Sequence, residues 1–321
     1  MPTLSKLSKL AFHSEPAAFE YLERTLWQDG PVCPHCGTVG HATKLQTNGG
    51  NKDGKRQARI GLWKCNEKEC RKQFTVKVGT VFEHGRIPLH KMLQAVYLLC
   101  CSKKGCSSHQ LHRILGITYK AAWFLSHRIR EAMRDGSLTP IGGGGKIVEA
   151  DETFFVNKKG FPVQSGVGHK MAVVSLVERG GPIRSTVIDA VSRPDVERII
   201  RQNVHRESRL MTDTAGYYRR GQLGPDQHEM VDHSIGEYVR GDVHTNTLEG
   251  YYSIFKRGMK GVYQHCGEKH LHRYVAEFDF RYSNRVGLGV DDVARATKAL
   301  RGISGKRLTY RAADIHQNSQ T

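Results

Sequence analysis

The sequence predicts a mixed α/β protein, with a strand-rich α/β domain in its second half behind a small cysteine-rich segment and a helical segment. Three observations predict it. Two tight cysteine pairs, Cys33-Pro34-His35-Cys36 and Cys65-Asn66-Glu67-Lys68-Glu69-Cys70, bracket a stretch rich in Gly and Lys. Residues 87–135 carry the apolar spacing of helices. Beyond residue 146, three strand-like runs are followed by a helix, two further strands and more helix.

The elements follow in order. Residues 1–30 read as helical, with Phe12, Ala18, Phe19, Leu22 and Leu26 near one face and a break at Pro16. Residues 31–82 hold both cysteine pairs and the short strand-like runs 59–65 and 74–78. Tight pairs on turns can present two thiolates each to one tetrahedral Zn²⁺, and Gly37 suits the first turn. Cys33, Cys36, Cys65 and Cys70 are therefore the expected ligands of one structural Zn²⁺ in a zinc ribbon. Disulfides are disfavoured, because nothing points to an oxidising compartment. Cys100, Cys101, Cys106 and Cys266 lack ligand spacing; the first two end an apolar run and read as small buried hydrophobes.

Residues 83–140 contain a short helix through Leu115, a tight turn at Gly116 and a second helix from Tyr119 through Met133. That is a helix-turn-helix pattern, whose second helix can lie in a DNA major groove. Leu111, Ile114, Leu115, Ile117, Trp123 and Ile129 are expected between the helices, with Lys120, His127, Arg128 and Arg130 on an outer face. The tract Gly142-Gly143-Gly144-Gly145 reads as a flexible joint and marks a domain boundary. Strands are then expected at 147–156, 171–177 and 183–191, with a turn at Gly180-Gly181-Pro182. A helix over 194–204 opened by Ser192, strands at 209–213 and 230–234, and two helical stretches from Asn246 to about Asn284 complete the series. This is the element order of an RNase H-like fold. The expected division is 1–30 helical, 31–82 ribbon, 83–140 helix-turn-helix, 141–301 catalytic-type α/β domain, and 302–321 polar tail.

Charge narrows the function. Lys and Arg number 49 against 31 Asp and Glu, a formal net charge of +18 over 321 residues. Such an excess most often meets phosphates, since each one neutralised releases counterions. No apolar run reaches the roughly 18–20 residues of a membrane span, and the N-terminal residues lack the continuous apolar core of a secretory signal. A membrane protein is excluded and an intracellular, soluble one expected. Against this basic background, certain carboxylates stand out. Asp151 lies within an expected central, apolar strand beside Glu149 and Glu152, and Asp213 ends the apolar stretch Leu210-Met211-Thr212. A carboxylate there is costly to bury unless it meets a cation or strong donors. Asn246, Glu249 and Lys256 follow at helical spacing, three and seven residues apart, on one face. Acidic or amide groups from two strands and a helix can hold two Mg²⁺ or Mn²⁺ ions about 3.5–4 Å apart for phosphoryl transfer, with Lys256 on a phosphate near the scissile bond.

On these residues the chain resembles the IS1595-type, or ISXO2-like, insertion-sequence transposases, over roughly residues 15–290. The carriers are Cys33–Gly37, Tyr119–Phe124 with Arg128–Met133, Val148–Thr153, Val243–Gly250 through Lys256-Arg257-Gly258, His270–Tyr274 and Phe280–Arg285. The resemblance implies an RNase H-like catalytic domain behind a zinc ribbon, and a Mg²⁺-dependent transposase of Asp-Asp-Glu or Asp-Asp-Asn type. It carries over Asp151 and Asp213 as metal ligands and leaves Asn246 and Glu249 as candidates for the third. Glu249 is favoured, because its spacing to Lys256 matches the wider Asp-Asp-Glu pattern. Implied partners are double-stranded DNA, as terminal inverted repeats and target, and a second copy in the synaptic complex, within the prokaryotic cytoplasm at the nucleoid. One departure is evident: relatives often follow Asp-Glu-Thr with Tyr-Val-Gly-Gly, where this chain has Phe154-Phe155-Val156-Asn157. The competing readings are a non-catalytic DNA-binding regulator with the same ribbon and helices, and a housekeeping nuclease such as a resolvase.

Overall fold

The computed structural model describes residues 6–45, 59–136, 139–219, 223–237 and 239–309. Most of the expected polar tail, from residue 310 on, therefore lies outside the described residues, as do 1–5 and 46–58 of the first two expected segments. The chain forms two compact units, neither continuous in sequence: 1–96 with 108–132 and 299–321, and 97–107 with 133–298. Among the described residues, no helix is long and apolar enough to cross a membrane.

In the first unit, α1 spans Glu15–Leu26 and buries Ala18, Phe19 and Leu22. Pro16, expected to break the helix, sits in its first turn, where its missing N–H costs nothing. A three-stranded antiparallel sheet follows, β1 (Ala42–Lys44), β2 (Trp63–Cys65) and β3 (Gln73–Phe74), in that order. Trp27 packs edge-on against Trp63 and Phe74, so the small sheet leans on the end of α1. Glu23 reinforces that contact, accepting hydrogen bonds from Trp63 Nε1 at 2.9 Å and Lys44 Nζ at 2.8 Å.

The helical block divides into α2 (Leu89–Cys101), α3 (Ser108–Leu115) and α4 (Tyr119–Met133). Gly116 makes the α3–α4 turn at φ +57°, a left-handed conformation that favours glycine. His109 stacks on Tyr119 across the turn, with ring centroids 4.3 Å apart. Three expectations fail here. Ile114 is 52% exposed, whereas His127 and Arg130 are buried. Leu125, Ser126, His127, Ile129 and Arg130 are all buried, so α4 is covered around more of its circumference than a two-helix hairpin would cover. Arg130 accordingly donates to Ser126 Oγ at 3.0 Å, one turn back.

The second unit is built on a five-stranded mixed sheet of β4 (Ile147–Asn157), β5 (Lys170–Glu178), β6 (Ile183–Ile188), β7 (Arg209–Asp213) and β8 (Gln227–Val231). Their spatial order is β6-β5-β4-β7-β8, with β6-β5-β4 antiparallel and β4-β7-β8 parallel. β5 is buried continuously from Met171 to Val177 because both its faces are covered. Met171, Val173 and Val177 join a core with α6 (Asn246–Gly258) and α7 (Leu271–Ser283). Val174 and Leu176 join the opposite core with α5 (Arg193–Asn203). The alternation of side chains along a strand thus sorts one apolar run into two cores. Ser192 caps α5 through Asp195 N, as its sequence position predicts. One helix was not anticipated: α8 (Asp292–Arg301).

The glycine tract is not the loose joint that its composition predicts. Ile141 bridges to Val204, Gly142 N donates to Glu178 at 2.9 Å, and Gly143 N donates to Ser208 Oγ at 2.9 Å. At Gly142, φ is +87° and a Cβ would stand 2.2 Å from Ser208 Oγ, so the glycine serves a close approach.

The edge strand β6 is closed by α7. Ser283 Oγ accepts from Ile183 N at 3.0 Å, and Asp279 accepts from Ser185 N and Ser185 Oγ, both at 2.8 Å. Tyr251 adds a third donor to Asp279 at 2.6 Å. Burial nonetheless pushes the Asp279 carboxyl up to about 6, against the pull of these donors. A carboxyl raised in the folded state favours folding most when both states are protonated. Its contribution is therefore fully present below about pH 4 and declines as pH rises toward 6. Denaturant midpoints measured against pH should show Asp279→Asn lacking this decline, a difference on the order of 2–3 kcal/mol between pH 4 and pH 6.

Candidate metal centres

The four predicted cysteines converge. The first pair is set by a turn in which Gly37 N donates to Cys33 O at 2.9 Å, with Gly37 at φ +80°. The second is set by a turn in which Cys70 N donates to Glu67 O at 3.1 Å. The Cys33 and Cys70 sulfurs lie 3.7 Å apart, and those of Cys36 and Cys65 lie 3.6 Å apart. Four sulfurs each about 2.3 Å from one ion at tetrahedral corners would stand about 3.8 Å apart, so the donor set fits Zn²⁺. A disulfide would need sulfurs at about 2.05 Å, and all four thiols are free. The Thr38 side chain and amide pull the Cys36 thiol down to about 6, whereas burial pushes Cys65 up to about 12. A bound cation would bring both to the thiolate.

The predicted carboxylates also come together. β4 and β7 pair in parallel with Glu149 opposite Met211, and two residues further in that register lie Asp151 and Asp213. Asp151 is held above the usual carboxylate range by burial, then by the charges of Glu152, Asp213 and Glu249. Glu152 is raised as well, by burial and by Asp213, although the Tyr217 and Tyr218 hydroxyls both donate to it. Negative groups crowded this closely favour a divalent cation between them. The oxygens do not form a cluster with every pair within 4.8 Å, a closeness that only the four cysteines reach among the described residues.

α6 supplies the remaining predicted residues. It buries Leu248, Tyr251, Tyr252 and Phe255, leaving Asn246, Glu249, Ser253 and Lys256 exposed. Both candidates for the third ligand thus sit on the open face, and so does Lys256. Glu249 reaches the Asp151 field, and its carboxylate lies 3.9 Å from His233 Nε2.

Sequence reasoning missed what places α6. Glu149, on the same face of β4 as Asp151, is fully buried. It accepts from Thr247 N at 2.9 Å, Leu248 N at 3.1 Å and Thr247 Oγ1 at 2.7 Å, so it binds the first turn of α6. Arg179 donates to it at 2.6 Å and also ties down the Asp242 and His244 carbonyls, at 2.6 and 2.8 Å. A helix N-terminus attracts a carboxylate, and the Arg offsets the buried charge. The alternation that put Asp151 on a face also put Glu149 there; its partners 98 residues away carried no signal. Tyr217, Tyr218 and His233 were likewise unassigned.

Two family models match the chain, and the second covers the cysteine centre. Residues 142–283 match the ISXO2-like transposase domain, and residues 13–73 match the transposase zinc-ribbon domain. A protein described as uncharacterized, in transposable element ISH50 of Halobacterium salinarum, is 28% identical over 289 residues, spanning 84% of this chain and 91% of the relative.

Two outcomes follow. Purified protein should carry about one Zn²⁺ by atomic absorption, and Cys65→Ser should lose it together with the ribbon's chemical-shift dispersion. Glu149→Ala should lower stability by about 3 kcal/mol or more, since it strands Arg179 and the α6 amides, while Glu149→Gln should cost less. Urea unfolding of both variants checks this.

Proposed function

We propose, for a chain that carries both a transposase zinc ribbon and an ISXO2-like transposase domain, a divalent-metal-dependent DNA transposase acting at the terminal inverted repeats of its element. The observation that carries the reading is the convergence of Asp151 and Asp213 on neighbouring parallel strands with the exposed face of α6. The sheet order, three antiparallel strands extended by two parallel ones with helices on both faces, supports an RNase H-like domain.

Asp151, Asp213 and Glu249 would hold the metal ions, with Asn246 as co-candidate for the third position. Mg²⁺ or Mn²⁺ bound there supplies an activated water or 3′-hydroxyl and neutralises charge on the phosphoryl group. Lys256, two helical turns beyond Glu249 on the same face, holds the phosphate beside the scissile bond. Tyr217 and Tyr218 orient Glu152, keeping that carboxylate turned toward their hydroxyls. The ribbon and the α3–α4 pair bind the element ends as a helix-turn-helix reader. Two copies bring two ends together, hydrolyse the 3′ ends and join them to target DNA.

The test uses a duplex carrying the gene with its flanks, mapped for new 3′ ends at nucleotide resolution. Wild-type protein should nick both borders only with Mg²⁺ or Mn²⁺. Asp151→Asn and Asp213→Asn should each lower the rate by roughly a hundredfold or more while retaining border binding. Glu249→Gln should do the same and Asn246→Ala less; the reverse ranking would make Asn246 the third ligand. Border binding without nicks in any protein is the result expected of a DNA-binding regulator.

A further inference from the structure

The loop between β4 and β5 has no role in the chemistry above, and its composition is unusual. It spans residues 158–169 and displays Phe161, Val163 and Val167 at 56%, 74% and 43% exposure. Between Lys158 and Lys170 there are three lysines and no Asp or Glu. Its base is well fastened. Lys158 N donates to His169 O at 2.8 Å and Lys158 Nζ to Gly168 O at 3.0 Å, with that ammonium 5.3 Å from the Phe161 ring centre. Lys159 N donates to Glu268 at 2.8 Å. The apolar side chains are thus held out in water on a braced cationic base, where covering them would be favourable.

Its position narrows what covers it. β4 carries Asp151 and then runs six residues further, past an irregularity between Phe155 and Asn157, before the loop begins. The strand continues through Val156-Asn157. At about 3.3 Å per residue the loop starts about 20 Å beyond Asp151, the length of about six base pairs. A partner here must offer negative charge to the lysines and flat apolar surface to Phe161. A nucleic acid duplex opened at a base step offers both.

We infer that the β4–β5 loop is a DNA wedge: Lys158 and Lys159 hold backbone phosphates while Phe161, backed by Val163, enters a base step some six base pairs from the scissile phosphate. The inference rests on the proposed reading of the carboxylate site, and its test is separable from it. Catalytically dead Asp151→Asn protein is bound to border duplexes carrying 2-aminopurine at successive positions on either side of the nick. Fluorescence should rise at a step about six base pairs from the nick on one side, and the rise should be lost in Phe161→Ala/Val163→Ala and retained in Phe161→Trp. In the cleaving protein, Phe161→Ala/Val163→Ala should nick about tenfold more slowly with unchanged zinc content. Lys158→Ala/Lys159→Ala should reduce the slope of log affinity against log salt by about 2.

A wedge signal in duplexes with no nicking by any protein would overturn the catalytic reading and keep the wedge. Metal-dependent nicking with no fluorescence rise at any step, or with the Phe161→Ala/Val163→Ala variant at wild-type rate, would overturn the wedge and keep the catalytic reading. Sedimentation of the protein with anionic phosphatidylserine vesicles, lost in Phe161→Ala/Val163→Ala and accompanied by no fluorescence rise, would assign the loop to a membrane surface and likewise overturn it.

Discussion

Glu149 is a carboxylate sealed from water, and its two oxygens are shared between Arg179 and the first amides of α6. Together with Tyr252, whose hydroxyl donates to the Asp151 carbonyl at 2.7 Å, that link fixes the axial position of α6 against β4, which amphipathic packing alone would leave loose. The face that carries Asn246, Glu249 and Lys256 is set by the apolar side chains beneath it; its height along β4 is set by Glu149 and Tyr252. Metal-binding groups tolerate errors of only a few tenths of an ångström, and a dispersion-packed helix alone does not supply that accuracy. The charged link, short and directional, does.

The same region shows how a strongly cationic chain keeps a patch of opposite sign. The net charge of +18 favours polyanions everywhere on the surface. Where the end of β7 meets the middle of β4, however, Asp151 lies in the field of Glu152, Asp213 and Glu249, and burial raises Asp151 and Glu152. Under the proposed reading, divalent cations bound there would offset that unfavourable energy and make the patch attractive to phosphate. Under that reading, basic surroundings and acidic centre are parts of one arrangement, the first to gather DNA and the second to act on it once loaded.

Much of this was legible in the sequence, for physical reasons that differ by element. Strands β4 to β7 were readable because their apolar runs are bounded by charged or turn residues, and the cysteine centre because ligand spacing reflects bond lengths. The first two carboxylates were readable because an acid in an apolar strand is costly. The third was not resolved, since Asn246 and Glu249 share one exposed face and periodicity does not separate them. The glycine tract was misread because local propensity cannot see the neighbours that turn a joint into a docked segment. Arg130 was misread for the opposite reason, its charge suggesting solvent where tertiary packing buries it. α8 carries Val293, Ala296 and Leu300 at helical spacing and was readable but short.

The closure of β6 by Asp279 and Ser283 has a consequence for how the chain survives its own synthesis. An uncovered outer strand offers a row of amides on which a neighbouring polypeptide can add as a further strand, and a half-made sheet on the ribosome is exposed to that hazard. Here the amides of Ile183 and Ser185 are taken by side chains of a helix translated about a hundred residues later. Until α7 emerges and docks, that side of the sheet is open to aggregation; afterwards it is closed to recruitment of other chains. Helix α7 thus acts as a quality gate on the whole sheet.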